Sequence, residues 1–186
     1  MTDVRTVGVF IGSLRRASFS RRIADALAAL APATLRFHTV EIGDLPLYNQ
    51  DLETDTPPPS WVAFRERART LDAVLFVTPE YNRSVPGALK NALDVGSRPS
   101  GKSVWDGKPG AVVSVAPGAL GAFGANHHLR QALVYLNVPT LQQPEVYLGG
   151  VAKAWDGTGA LTPEVRDFLQ RFVTSFAAWI DALRKR

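Results

Sequence analysis

Side chains able to hold a phosphate group are concentrated in one short loop near the start of the chain. This loop, residues 12–20, leads directly into a helical pattern that begins near Arg21. Free backbone N–H groups at a helix N-terminus attract anions, and nearby hydroxyl or guanidinium donors complete such a site. A second interpretation also fits, in which Ser18 or Ser20 only caps the helix. The donors are Ser13, Arg15, Ser18 and Ser20.

Other phosphate-binding motifs fit this loop poorly. A Walker A loop ends in Gly-Lys-Ser/Thr, and a dinucleotide fingerprint places G-x-G-x-x-G directly after a strand. The first loop, residues 12–20, contains neither pattern. The chain has no cysteine, which excludes cysteine phosphatase loops, thiolate metal sites, disulfides and dithiol redox chemistry. Any redox function must therefore depend on a bound cofactor.

Five short apolar runs bounded by glycine or proline have the length of β-strands. They alternate with five helical patterns, which predicts right-handed crossovers and a doubly wound α/β fold, with helices on both faces of a parallel sheet. The 186 residues, 46% hydrophobic and 20% charged, are expected to form one domain over residues 1–186. The predicted strands are residues 7–11, 35–42, 73–77, 111–116 and 144–148.

Chemistry is expected beyond the carboxyl ends of these strands. Ligands of doubly wound sheets bind where the winding reverses, so the loops after strands one, three and four matter most. In the third loop, Pro79 and Pro86 hold the backbone extended and turned. The backbone groups of residues 80–82 are then available to the polar edge of a planar ring, against which Tyr81 packs. The fourth loop is rich in glycine, which allows close approach of a ligand, and turns into a helix at Asn126.

The stretch from Pro79 to Asp94, which begins P-E-Y-N-R-S-V-P-G, resembles the signature of the NADPH-dependent FMN reductase family. That family includes bacterial quinone, chromate and azo-dye reductases. With the first loop and residues 107–109, the resemblance spans most of residues 5–150. It implies a flavodoxin-like fold with strand order 2-1-3-4-5 and helices on both faces. It also implies FMN as cofactor and NAD(P)H as electron donor.

The resemblance places three loops at the cofactor: the first at the FMN phosphate, the third at the isoalloxazine ring, and the fourth at the flavin as well. Where some family members carry a glycine pair and then an arginine, this chain has Gly121-Ala122-Phe123-Gly124; Ser20 replaces a common asparagine. For Glu80, a side chain tied into local or subunit contacts is favoured over a catalytic acid. No catalytic residue or metal ligand is implied, because the cofactor carries the chemistry. The cofactor-binding residues implied are Ser13, Arg15, Ser18, Phe19, Ser20, Pro79, Glu80, Tyr81, Asn82, Ser114 and Gly118.

The implied reaction is hydride transfer from NAD(P)H to FMN, followed by reduction of a small-molecule oxidant in the same place. Quinones and free flavin are the expected oxidants, with chromate and azo compounds as further candidates, and ping-pong kinetics follow. A homodimer or homotetramer is expected, with Leu45 to Tyr48 as a candidate contact. The net charge of +4 is scattered and predicts a solvated surface rather than nucleic-acid binding. No apolar run reaches membrane-spanning length, so a cytoplasmic location without membrane insertion is expected.

Two other functions compete with this interpretation. A flavodoxin would carry electrons on FMN without NAD(P)H activity of its own, although the basic charge and the signature argue against it. A flavin-free regulator of the receiver type would need an acidic cluster after strand one and an aspartate after strand three. The chain has Gly12-Ser13 and Thr78-Pro79 at those places.

Several other conspicuous residues have structural explanations. Adjacent histidines on a helix point about 100° apart, so His127 and His128 are not expected to share a metal. Lys90 and Asp94 are spaced to form a solvated or interface pair. The four tryptophans are expected in core or subunit contacts, with Trp105 also a candidate for the border of a pocket.

Overall fold

The centre of the protein is a parallel five-stranded sheet. The computed structural model describes residues 4–184. The strands are β1 (Arg5–Ile11), β2 (Leu35–Val40), β3 (Ala73–Thr78), β4 (Gly110–Val115) and β5 (Val146–Leu148). The helices are α1 (Phe19–Leu30), α2 (Pro59–Arg69), α3 (Gly87–Gly96), α4 (Phe123–Tyr135) and α5 (Pro163–Arg184). The order β2-β1-β3-β4-β5, with every pair parallel, confirms the expected topology.

Two hydrophobic clusters, one on each face, hold the sheet between its helices. The first face is covered by α1 and α5, where Phe172 and Phe176 are buried. The second face is covered by α2, α3 and α4, and Trp61 and Trp105 lie fully buried there. Every residue of β3 and β4 is buried, as expected for strands covered on both sides. Trp105 is thus a core residue rather than the border of a pocket.

Most strands begin or end one or two residues away from the predicted bounds, and helix α4 also starts earlier than predicted. The edge strand β2 ends at Val40 rather than at residue 42. Val40 pairs with Phe10, near the end of β1, and the pairing of the two strands stops there. The other edge strand, β5, begins at Val146 rather than at residue 144, and it pairs with only three residues of β4. Helix α4 begins at Phe123, three residues before the predicted start.

The winding reverses between β1 and β3, since β2 lies on one side of β1 while β3, β4 and β5 follow on the other. The loops after β1, β3 and β4 therefore meet at one edge of the sheet. Among residues 4–184, no helix combines the length and the apolar character needed to cross a lipid bilayer.

Candidate functional site

Gly12 brings the first and third loops together. Its amide donates to the carbonyl of Val77 at 2.9 Å, directly at the carboxyl end of β3. A Cβ atom at residue 12 would lie 2.9 Å from the Thr78 hydroxyl oxygen and 3.2 Å from the Pro79 ring. Any larger residue would push the two loops apart, so glycine is required for their approach.

The start of α1 has the features of an anion site. The Ser18 hydroxyl accepts the Arg21 amide at 3.0 Å, so Ser18 is the helix cap. Ser13 and Ser20 are 4% and 1% exposed, and neither hydroxyl has a hydrogen-bond partner among residues 4–184. In the same described part of the chain, the Phe19 and Ser20 amides donate to no backbone carbonyl. Capping by Ser18 therefore leaves donors for an anion in place.

An aromatic contact fixes the first turn of α1 from the far end of the chain. Trp155 stacks on Phe19 with ring centroids 6.1 Å apart, and the Arg22 guanidinium lies 3.7 Å above the Trp155 ring. Arg21 is paired with Glu41 at 3.3 Å. Arg15 lies exposed on the loop and remains able to reach an incoming anion. No pattern in the sequence indicates this contact, because Trp155 lies 136 residues after Phe19.

The third loop is a tight two-residue turn. The amides of Tyr81 and Ser84 each donate to the other's carbonyl at 3.0 Å. Asn82 and Arg83 between them have φ values of +50° and +66°, the pattern of a type I′ turn. The expectation that the Tyr81 backbone faces a ligand is therefore wrong, because those groups are used within the turn. The Tyr81 side chain, 48% exposed, remains available for contact.

An open cavity of about 370 Å³ separates the first loop from the third. Its lining is largely apolar, with one guanidinium at the rim, and a planar aromatic group suits such a slot. Arg15 belongs both to this cavity and to the loop that leads to the start of α1. The lining residues are Gly12, Leu14, Arg15, Tyr81, Pro86 and Ala88.

A buried network holds the base of the fourth loop. The Ser114 hydroxyl donates to the Gly121 carbonyl at 2.7 Å and accepts the Asn126 side-chain amide at 3.1 Å. Both side chains are fully buried, so the Ser114 hydroxyl faces protein. Gly118 lies on the exposed part of the loop, and no atom lies within 4 Å of a Cβ placed on it. Asn126, which sequence reasoning took only as a helix start, is a structural member of this site.

Tyr147, on β5, joins the outer face of α4 to the sheet edge. Its hydroxyl donates to Glu145 at 2.8 Å and lies 3.0 Å from the His127 Nε2 atom. His128 instead contacts the Ser84 hydroxyl at 2.7 Å, so the two imidazoles have different partners. Burial, assisted by the neighbouring Glu145 carboxylate, raises the pKa of Tyr147 to about 12.

We expect the Tyr147 phenol to ionise about two pH units above its ordinary value of 10.0. The folded state holds this proton more tightly than the unfolded state. Its contribution to stability is therefore fully present below pH 10 and is lost as the pH rises to about 12. The ultraviolet titration difference between wild type and Tyr147→Phe isolates this phenol, and Tyr135→Phe, which removes an exposed phenol, is the matched control. A Tyr147 midpoint near pH 10 in protein that is folded by circular dichroism would contradict the assignment.

Comparison with known proteins gives consistent matches over nearly the whole chain. A family model described as NADPH-dependent FMN reductase matches residues 5–153. A quinone reductase from Pseudomonas putida is 59% identical over 180 residues, which cover 97% of each chain. A 2-hydroxy-1,4-benzoquinone reductase from Burkholderia sp is 47% identical over 175 residues, covering 94% of this chain and 95% of the relative.

A solved structure is similar over its full length. The flavoenzyme NAD(P)H:(acceptor) oxidoreductase FerB from Paracoccus denitrificans superposes with a TM-score of 0.90. It is 43% identical in sequence, and the match covers 96% of this chain and 98% of that one.

Proposed function

The chain belongs to the NADPH-dependent FMN reductase family, and we propose that it reduces quinones with electrons from NAD(P)H by a ping-pong reaction at one FMN site. FMN, when bound, supplies the ring that accepts a hydride and passes the electrons on. Free flavin, chromate and azo compounds are further proposed acceptors. The proposed location is the cytoplasm, where NAD(P)H is supplied.

One observation carries the proposal: the features of an anion site and a largely apolar slot share the first loop. The N-terminus of α1 offers two free amides and the unpartnered hydroxyls of Ser13 and Ser20. These donors lie within one short loop and the helix start that follows it, which suits the single phosphate of FMN rather than a pyrophosphate. The slot beside Tyr81 suits the isoalloxazine ring. Both lie along the first loop, as the two ends of one ligand require.

The protein's own residues bind and orient the ring rather than transfer protons. Pro86 and Ala88 supply apolar lining of the slot, and Tyr81 lines it as well. Backbone N–H groups of the exposed fourth loop around Gly118 stabilise negative charge on the ring. Because the slot is open, NAD(P)H and the quinone can occupy the same place in turn, which is the basis for proposing ping-pong kinetics.

A homodimer or homotetramer is part of the proposal. Asn91 fixes the segment before α2: its side-chain amide donates to the Pro46 carbonyl at 3.0 Å, and its carbonyl accepts the Tyr48 amide at 2.7 Å. Leu47 between them is 78% exposed. An apolar side chain that is held rigidly in solvent supports a subunit contact there.

We expect purified protein to hold FMN and to oxidise NAD(P)H when a benzoquinone is present. Initial rates measured over a grid of both substrate concentrations should give parallel lines in double-reciprocal plots, because the first product leaves before the quinone binds. Intersecting lines would show that both substrates bind together and would contradict the ping-pong step.

The same measurement separates the reductase from its competitors. A yellow protein without turnover on any quinone would support the flavodoxin alternative, in which FMN only carries electrons. Failure to take up FMN at all would support the flavin-free regulator. Heat-released flavin identified by chromatography gives the cofactor independently of the acceptor.

A further inference from the structure

Helix α4 begins without a cap of its own. Its N-cap residue, Ala122, has a left-handed φ of +60° and no side-chain hydrogen bond, and the first turn contains no acidic residue. The first N–H groups of a helix need acceptors from elsewhere. Local sequence therefore does not explain why the helix starts at Phe123.

The missing acceptor comes from the third loop. The Glu80 Oε2 atom accepts the Ala125 amide at 3.0 Å, in the first turn of α4, and the Glu80 side chain is only 14% exposed. A carboxylate at this end of a helix is stabilised by the helix dipole as well as by the hydrogen bond. Residue 80 thus caps a helix that begins 43 residues later.

Gly124 makes room for this carboxylate. A Cβ atom at residue 124 would lie 2.9 Å from Glu80 Oε2 and 3.0 Å from the Arg83 carbonyl oxygen. A larger residue would displace either the carboxylate or the turn. This contact gives a physical reason for the glycine in Gly121-Ala122-Phe123-Gly124, where some family members carry arginine.

A second contact ties the same turn to α4. The Ser84 hydroxyl lies 2.7 Å from the His128 Nδ1 atom, one turn further along the helix. The Arg83 guanidinium lies 3.4 Å from the other Glu80 oxygen, although it is largely exposed. The turn at residues 81–84 is therefore fastened to α4 on both sides.

We propose that Glu80 is a positioning residue that locks the third loop to the first turn of α4 and so fixes the width of the ring slot. The contact between Glu80 and Ala125 connects the turn that carries Tyr81, a lining residue of the slot, with the fourth loop that leads into α4. The inference depends on the proposed flavin site, but the capping contact itself does not. Glu80 acts through Ala125 and Tyr81, and its charge is directed to the helix rather than used as an acid.

Three variants test the lock. Glu80→Ala removes the acceptor, Gly124→Ala keeps Glu80 but blocks its seat, and Glu80→Gln keeps an oxygen at the same place. Glu66→Gln, an exposed carboxylate on α2, is the matched control. The readouts are amide hydrogen exchange at Ala125 in the apoprotein, and fluorescence titration of the apoprotein with FMN and with riboflavin.

Glu80→Ala and Gly124→Ala are each expected to weaken FMN binding by about 10-fold, in keeping with the loss of one helix cap. The affinity for riboflavin should fall by the same factor, because the variants displace the ring and not the phosphate. Exchange at Ala125 should accelerate in both variants, and Glu80→Gln should restore most of the affinity. The visible spectrum of bound flavin should shift in the two alanine variants alone.

Unchanged flavin affinity and unchanged Ala125 exchange in Glu80→Ala would overturn the proposal. Equal weakening in Glu80→Gln and Glu80→Ala would also overturn it, because an acceptor oxygen would then be irrelevant. If Glu80→Ala does not fold, Gly124→Ala supplies the same answer. Should wild type bind no flavin, the proposed function fails, while exchange at Ala125 still tests the cap.

Discussion

FMN is expected to bind the apoprotein about 100-fold to 10,000-fold more tightly than riboflavin. The two ligands differ only in the phosphate, which in the proposed site would meet the amides of Phe19 and Ser20 that are free at the start of α1. Hydrogen bonds to a charged group contribute about 1.5–3 kcal/mol each, so two net contacts are worth about 3–6 kcal/mol. At about 1.4 kcal/mol per tenfold change, this gives the stated range. Titration of the apoprotein, followed by quenching of flavin fluorescence, measures both constants.

Two variants assign this preference to particular side chains. Ser20→Ala and Arg15→Gln should each reduce the preference for FMN by about 10-fold, since each removes one charge-assisted donor. Riboflavin binding should hardly change in Ser20→Ala, which is the cleaner test because Arg15 also lines the ring slot. Arg69→Gln is the matched control, because Arg69 ends α2 at the opposite, amino-terminal edge of the sheet. Added salt should weaken the binding of FMN and leave the binding of riboflavin unaffected.

Equal affinities for FMN and riboflavin would contradict the phosphate site. The start of α1 would then serve only as a capped helix end, as the Ser18 hydrogen bond alone would allow. That was the second interpretation of the serine-rich loop. The comparison of the two flavins therefore decides between the two interpretations that the sequence left open.

The fold could be predicted because its signals are local and repeated. The central strands β3 and β4 are buried at every residue, as runs without polar alternation indicate, whereas the edge strand β2 carries Arg36 and His38 and is buried only at its ends. Alternation of strands with helices then fixes the parallel sheet, and the sheet fixes the edge where ligands bind. The boundaries of β2 and β5 escaped prediction, because they depend on where the neighbouring strand ends.

The site could be predicted only in part, because its decisive contacts join distant residues. The Glu80 carboxylate reaches the Ala125 amide, and Trp155 reaches Phe19 across most of the chain. Neither leaves a periodic pattern in the sequence. Three of the predicted residues have structural contacts within the protein: Ser18 caps α1, Ser114 holds the fourth loop, and Glu80 caps α4. Direct contact of the predicted set with FMN stays a prediction.

We expect Glu53→Ala to lower the free energy of unfolding more than the loss of any surface ion pair. Arg65 of α2 is 4% exposed and donates to both Glu53 oxygens, at 2.8 and 2.6 Å, and its Nε donates to the Val95 carbonyl at 2.9 Å. Without Glu53, a buried guanidinium would keep only one of these three bonds. Breaking a buried ion pair in this way costs about 3–5 kcal/mol. For a chain of this length, that lowers the melting temperature by roughly 6–20 °C.

Urea unfolding of the apoprotein measures this loss, with an unchanged m-value as the sign that only stability has changed. The matched control is Asp94→Ala. Asp94 pairs with Lys90 at 2.7 Å, but both side chains are about half exposed, so its loss should cost less than about 1 kcal/mol. The same carboxylate truncation thus separates a buried pair from a surface pair. Equal losses in the two variants would show that Arg65 finds solvent when Glu53 is removed.

The double variant Glu53→Met with Arg65→Met distinguishes the two sources of the loss. If the cost lies in an unpaired buried charge, removal of both charges should recover most of the stability. Apolar side chains of similar volume can pack in that position and need no ionic or hydrogen-bonding partner. The cost could instead lie in the link that Arg65 makes between Glu53 and the Val95 carbonyl of α3. In that case the double variant should stay as unstable as Glu53→Ala. The low exposure of both partners favours recovery, since desolvation offsets most of the attraction between two charges that are largely shielded from water.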